Sequence, residues 1–407
     1  MDRIGELSGK TTGGPGTPAA APIELETPNG TLVVRLAAPQ DEPALRRLFS
    51  SITMDADLSL RVDREPDFFA LYEIQGDAVC EPWVGILDGE LVGLGTLVAR
   101  NGYLGGEVRR IGYLGDLRLD PRIRGREVLA TLYGPCLDGF ATRHGVGVFY
   151  TAVIASNARA VRALTGPSAH DLGIPTYHLL QRFSIRAVQT IGARRPGRAA
   201  RRTWRVRRAS EADLPALARL LDHDARTRAF GAPIDADRLE RSFARWPGLA
   251  VEDVHLLERR DTGELVGSLA PWDATPVKQT VVTAYRGSMR WVRRSYDIAA
   301  TLVRAPRLPA PGSALRYCYA THHAVTDPDP EAARLLVHAA WRSVRASGGR
   351  HVFLSCRVPR SDGSEAPYEG FVTNDLPANL YAVVPHGGDL PVELHDANRF
   401  GFEMALV

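Results

Sequence analysis

Two stretches of this chain repeat one another across a long interval. Val34-Arg-Leu-Ala-Ala-Pro-Gln-Asp-Glu-Pro-Ala-Leu-Arg-Arg-Leu48 aligns without gaps on Val206-Arg-Arg-Ala-Ser-Glu-Ala-Asp-Leu-Pro-Ala-Leu-Ala-Arg-Leu220, with nine of fifteen positions identical. Gly89-Glu-Leu-Val-Gly93 recurs as Gly263-Glu-Leu-Val-Gly267 at nearly the same offset. A period of roughly 173 residues is far longer than that of solenoids or propellers. The chain therefore reads as two copies of one domain fold. Its 407 residues, 44% hydrophobic and 24% charged, suffice for two globular cores.

The order of elements is the same in both copies. A β-rich start (31–36; 204–208) leads through Asp-x-Pro into an amphipathic helix. In the first copy Asp41 is placed to cap that helix and Pro43 to sit in its first turn. Helical segments are expected near 65–74 and 235–245. Hairpins follow at Asp88-Gly89 and Asp261-Thr-Gly263. A third strand (110–119; 315–325) ends in Asp-Pro, then come a helix (126–144; 331–347) and an apolar strand (146–155; 351–358). Apolar strands on either side of a helix predict a parallel crossover inside a mixed sheet, an α/β class. The second copy holds about 33 extra residues, near 271–312, with a helix-like stretch at 277–303. Residues 1–28, rich in Gly, Pro, Thr and Ala, read as a flexible tail. Residues 192–203 (GARRPGRAARR and flanks) read as a connector between domains 29–191 and 204–407.

Composition excludes several classes. Fifty basic against 47 acidic residues is too even for a nucleic-acid binder, although all the basic residues except Lys10 and Lys278 are arginine. No apolar run reaches the ~20 residues of a membrane span, and no signal-type apolar region opens the sequence. Cys80, Cys136, Cys318 and Cys356 are too scattered for a zinc knuckle or a disulfide framework, so a reducing cytoplasm is the expected compartment and no metal is expected.

The stretch Tyr113-Leu-Gly-Asp-Leu-Arg-Leu-Asp-Pro-Arg-Ile-Arg-Gly-Arg-Glu-Val-Leu129 resembles the GNAT superfamily of acyl-CoA-dependent N-acyltransferases, over residues 31–190 in element order. The repeat extends the resemblance to 204–407, giving two tandem GNAT-like domains. Each would be a mostly antiparallel mixed sheet with a central strand–helix–strand crossover. The resemblance implies that the strand edge at Leu117 and Leu119 pairs with the pantetheine arm. It also implies that Arg124, Gly125, Arg126, Val128 and Leu129 form the turn whose amides hold the CoA pyrophosphate. A helix N-terminus offers unpaired donors and a positive dipole end to such an anion. Glu127 and Leu129 fill positions where the family has small residues. Ser156-Asn157-Ala-Arg-Ala160 resembles the family's Asn-x-x-Ala helix start, placing Asn157 near the CoA arm or simply as an N-cap. The family's usual tyrosine acid is replaced by Leu164, leaving Tyr150 and Tyr177 as candidate acids.

Asp116 interrupts an apolar strand and shares a face with Arg118 by alternation. It is either a base for an ammonium substrate or half of an Asp116–Arg118 pair. In the second copy Asp327-Pro-Asp-Pro-Glu331 lacks Arg-Gly and crowds the anion site with carboxylates, so no CoA site is expected there. His322 and His323 are consecutive on a strand, so alternation would send at most one into a given cleft. The expected function is acyl transfer, of acetyl or another acyl group, from acyl-CoA to a small-molecule or peptide amine. The alternatives are a non-catalytic tandem scaffold that binds an acyl ligand or a protein partner, and a transferase fed by an acyl carrier protein.

Overall fold

The computed structural model describes residues 21–54, 57–124, 126–166, 174–302, 307–361 and 363–407, without the side chains of 126, 127, 129 and 130. The first copy contributes strands β1 (Ile23–Thr27), β2 (Gly30–Leu36), β3 (Leu58–Asp63), β4 (Val79–Leu87), β5 (Glu90–Leu104), β6 (Glu107–Leu119), β7 (Phe149–Ile154) and β8 (Thr176–Ala193). The second contributes β9 (Trp204–Arg208), β10 (His255–Arg259), β11 (Leu265–Trp272), β12 (Gln279–Tyr285), β13 (Tyr317–Val325), β14 (Phe353–Pro359) and β15 (Phe371–Val384). The helices are α1 (Glu42–Ser51), α2 (Ala70–Glu73), α3 (Arg126–His144), α4 (Ala158–Thr165), α5 (Arg198–Thr203), α6 (Leu214–Arg226), α7 (Ala236–Arg245), α8 (Met289–Leu302) and α9 (Pro330–Ala346).

Thirteen strands form one sheet in the order β1-β2-β4-β5-β6-β7-β15-β8-β14-β13-β11-β10-β9. The last strand of each copy has crossed into the other. β15 pairs with β7 (Val383 opposite Phe149), and β8 pairs with β14 (Gln189 opposite Phe353). The two exchanged strands run antiparallel to each other at the centre. The crossover helices α3 and α9 join parallel pairs, β6 with β7 and β13 with β14, as the apolar pattern required. Among the described residues no helix is long and apolar enough to cross a membrane.

The duplication is visible atom by atom at the helix starts. Arg35 Nη1 donates to Asp41 Oδ2 at 2.7 Å, and Arg207 Nη2 to Asp213 Oδ1 at 2.6 Å. Each carboxylate also accepts a backbone N–H three residues back, from Ala38 and Ser210 respectively, both at 2.8 Å. Asp41 thus bonds backwards and fixes the turn into α1, where Pro43 sits in the first turn. α1 then buries Leu45, Leu48 and Phe49, a spacing of three and four residues that gives one apolar stripe. Each such side chain fully buried contributes about 1.5–3 kcal/mol.

Several sequence expectations change. Residues 23–27, assigned to a flexible tail, form the edge strand β1. The helix expected near 65–74 shrinks to α2, and a further strand, β3, precedes it. β3 pairs with β12, so the insertion of the second copy reaches back onto the first. The stretch at 277–303 is helical only in its second part. Its β-branched run Thr280-Val-Val-Thr283 lies in β12, and a turn at Gly287 (φ +50°) precedes α8. The arginine-rich connector is partly regular: Ala193 closes β8, and α5 buries Ala200 against the α9 core.

Candidate active site

β6 carries the feature that organises the site. Leu94 pairs with Arg118 and Thr96 with Gly115, so Asp116 and Leu117 together oppose Gly95 alone. This is a β-bulge, and Asp116 takes the left-handed conformation (φ +56°) that it requires. The bulge reverses the phase of the strand. Before it, the Gly112 N–H donates to Val148 on the β7 side; after it, the Asp120 N–H donates to Val92 on the β5 side. By alternation the peptide groups of Leu117 and Leu119 face the β7 side. β7 does not meet them there, because β6 and β7 pair only at Gly112–Phe149 and Tyr113–Tyr150 and then part. Gly112 permits that last close approach, since a Cβ would meet the Phe149 ring at 2.0 Å. The result is an open wedge with Leu117 and Leu119 on one edge. The Leu117 side chain is 45% exposed, and the Leu119 carbonyl accepts from Arg124 Nε at 2.6 Å.

Asp116 is held from the other side. Arg64 Nη2 donates to both of its carboxylate oxygens at 2.7 Å, the Tyr72 hydroxyl donates at 2.8 Å, and Thr96 Oγ1 lies at 3.3 Å. The Arg64 guanidinium is buried against the rings of Phe49, Phe68 and Tyr72, 4.8–5.0 Å from their centroids. Burial alone would push the Asp116 carboxyl up; Arg64 above all, then Arg118 and the Tyr72 hydrogen bond, hold it below the usual range. The expected Asp116–Arg118 partnership is therefore corrected. The bulge breaks the alternation, Arg118 Nη1 bonds the Leu117 carbonyl at 3.0 Å, and the partner is Arg64, supplied by the turn after β3.

The turn after Asp120-Pro121 keeps its role as a helix entrance. Asp120 accepts the Arg122 N–H, and Arg122 is engaged by Asp120 and Glu90 at 2.9 and 2.7 Å. α3 begins at Arg126, and Val128 is partly buried against the first-copy core. Gly125 lies outside the described residues, as do the side chains of Arg126 and Leu129. Asn157 Oδ1 accepts the Ala160 N–H at 3.2 Å and so caps α4.

The two tyrosines lie on opposite faces of the sheet. Val383 stands opposite both Phe149 and Tyr177, so Tyr177 shares the Phe149 face while Tyr150 points the other way. The Tyr177 hydroxyl meets that of Tyr133 on α3 at 2.6 Å, and burial raises its pKa. Tyr150 is fully buried, accepts a hydrogen bond from Arg100 and stacks on Phe230 at 5.0 Å. Among the described residues no hydrogen bond joins Asp116, Tyr150 and Tyr177.

The second copy repeats the bulge without the anion turn. Ser268 pairs with Ala324 and Ala270 with Thr321, so His322 and His323 oppose Leu269 alone, and His322 has φ +49°. For that reason both histidines line one cavity, where simple alternation would have separated them. Burial lowers both pKa values to about 4, leaving neutral rings. The turn into α9 is closed by its own carboxylates. Asp327 accepts from the Asp329 N–H and the Trp204 indole and pairs with Arg259, while Asp329 accepts the Glu331 N–H.

The cavity measures about 600 Å³ and lies between the copies. Its walls come from 74–77 and Arg100 of the first copy, and from α6, α7, the β13 bulge, β14 and residues 398–406 of the second. Glu403 faces it, accepting from Thr321 Oγ1 at 2.8 Å, with burial raising its pKa. Glu403 was not singled out from sequence; its signal was a lone carboxylate within Phe400-Gly-Phe-Glu-Met-Ala-Leu406. Lys278 Nζ donates to the Val407 carbonyl at 2.9 Å, and its charge interacts with both Asp116 and Glu403.

Residues 44–165 match the sequence model of the acetyltransferase (GNAT) family. No curated protein sequence matches the chain. Among solved structures, a GCN5-related N-acetyltransferase from Sphaerobacter thermophilus is similar at 15% identity and a TM-score of 0.52, covering 88% of this chain and 98% of that one. N-myristoyltransferase from Saccharomyces cerevisiae, with bound myristoyl-CoA, is similar at 9% identity and a TM-score of 0.54, covering 94% and 86%. The family match therefore marks an acetyltransferase-type domain within residues 44–165. The family model covers part of the first copy only, and the solved structures share with this chain the fold, which here is built of two similar halves.

Proposed function

We propose that the chain transfers an acyl group from acyl-CoA to an amine, with one donor site per chain, in the first copy. The observation that carries this reading is the wedge between β6 and β7. A bulge turns the Leu117 and Leu119 peptides into it, and α3 starts at its mouth. An acyl-pantetheine arm lying along that edge runs past the Leu117 and Leu119 peptides, whose carbonyls accept from Arg118 and Arg124, and the Leu117 N–H is the proposed donor to the thioester oxygen. The amine nitrogen attacks the thioester carbon, the C–S bond breaks, and CoA leaves as thiolate. The amine loses one proton and the thiolate gains one. Asp116, ionised and clamped by Arg64, holds the bulge and does not take that proton. Glu403, which faces the cavity between the copies and whose pKa is raised by burial, is the proposed acceptor.

The donor is proposed to be acetyl-CoA or a longer acyl-CoA. A carrier-protein donor is the second reading. One observation favours it: α8 presents exposed Arg290 and Arg294 beside exposed Trp291, Ile298 and Leu302, a surface suited to an acidic carrier. Calorimetric titration with acetyl-CoA, longer acyl-CoAs and phosphopantetheine tests both. One CoA species bound per chain is expected. Two per chain contradicts the asymmetry, binding of the bare arm alone transfers the case to the carrier protein, and silence across the series overturns the donor site.

A further inference from the structure

The cavity between the copies occupies the place that the donor wedge holds in the first copy. β13 and β14 pair at Tyr317–Tyr319 and then part, and the His322–His323 bulge faces the opening. With the turn into α9 closed by Asp327 and Asp329, this second wedge has lost its means of holding a pyrophosphate. What lines it is nonetheless rich in cations that lack anions.

Arg100 is 8% exposed. Its Nη2 donates to the Tyr150 hydroxyl, and its Nε has no partner. Arg357 donates to the Phe400 carbonyl and to Gln181 Oε1, and stacks 4.7 Å from the Phe402 ring centroid. Neither arginine has a carboxylate partner among the described residues. Arg228 and Arg399 share the single carboxylate of Asp224, at 2.8 and 3.1 Å. The buried Nε2 of His323 has no partner either. Glu403 lies within electrostatic range of Arg100 and Arg357 but spends its hydrogen bonds on Thr321 and the Ala405 amide.

A desolvated cation without a counter-charge is costly, and an anion brought into the same cavity relieves that cost. Guanidinium forks match the planar oxygen pairs of carboxylates and phosphates. We infer that this cavity binds an anionic group, a carboxylate or a phosphate, borne by the acceptor amine. Arg100 and Arg357 take the anion, and Glu403 faces the amine. This rests on the acyltransferase reading for the word acceptor; the anion site itself does not depend on it.

The test begins with binding. Inorganic phosphate and glutarate, with glutaramide as the neutral control, are titrated calorimetrically into the full chain and into Arg357→Met and Arg399→Ala. Arg399 is half exposed, so its variant keeps the test open if Arg357→Met fails to fold. The expected result is binding of one or both anions but not of the diamide. Arg357→Met should weaken it by at least about tenfold and Arg399→Ala severalfold, with acetyl-CoA affinity unchanged. Anion binding that competes with CoA, that is as strong in both variants as in the unsubstituted chain, or that is absent overturns the inference. A second arm measures thiol release from acetyl-CoA with amino acids and their carboxamides. Preference for the free carboxylate distinguishes it from phosphate as the acceptor's anion, and equal rates overturn the acceptor assignment. Failure to bind acetyl-CoA while anions still bind would sink the acyltransferase reading alone.

Discussion

Replacing Asp116 by Asn removes one charge while keeping the shape, and Asn tolerates the left-handed conformation at φ +56°. What it leaves behind is Arg64, only 3% exposed at its side chain, ringed by three aromatics and without its carboxylate. Breaking a buried pair in this way typically costs about 3–5 kcal/mol. Unfolding entropy near 60 °C is about 2.1 cal/mol/K per residue, or about 0.85 kcal/mol/K for a chain of this length, so the Tm should fall by about 4–6 °C. Differential scanning calorimetry at neutral pH measures it. Adding Arg64→Met should restore part of the loss, because the orphaned cation is then gone. The Asp116 contribution has a definite pH sign. Its folded pKa is depressed, so the stabilisation is present above the ordinary carboxylate range and is lost as pH falls through the lowered value. An unchanged Tm combined with a turnover loss of about 10²–10⁴ would refute the reasoning and return Asp116 to the role of base.

Two further outcomes are expected. His255 is buried and His322 and His323 are partly buried, each with its pKa lowered to about 4 by desolvation and its ring neutral. Their contribution is complete above the unfolded value near 6.5 and drains away as pH falls from there towards 4, so urea midpoints should drop over that window. Substituting His322 and His323 by Phe and Gln should flatten the drop, and an unaltered profile contradicts the assignment. Residues 21–193 expressed alone should fail to give a soluble folded domain, because β7 and β8 would both lose a neighbour from the second copy; a monomeric fragment with dispersed amide resonances would overturn this.

What was legible in the sequence was whatever local chemistry writes. The Asp-x-Pro turns, the hairpins and the crossover helices recur in both copies because Arg35–Asp41 and Arg207–Asp213 are short-range arrangements. Asp116 stood out because a carboxylate in an apolar strand needs an explanation. Its partner did not, since Arg64 lies 52 residues away and only the fold brings them together. The two bulges left no trace in the period-two pattern, so His322 and His323 read as facing apart. Nor does alternation say which strand will be a neighbour: β8 and β15 look like ordinary closing strands of their own copies.

That exchange has a consequence for how the molecule is made. During synthesis the first copy leaves the ribosome with β7 complete, but its sheet neighbour β15 is still about 220 residues from translation. At 5–20 residues per second that interval lasts roughly 10–45 s, long compared with collapse. Throughout it the outer edge of β7 is unpaired, an open template for any strand nearby. The wedge proposed as the donor site stands at the opposite edge of that same strand, so its wall becomes rigid only when the far end of the second copy arrives. The chain is thus exposed to a nascent-state hazard that a single-copy fold avoids, and holding chaperones or close polysome spacing should affect its yield more than its final stability.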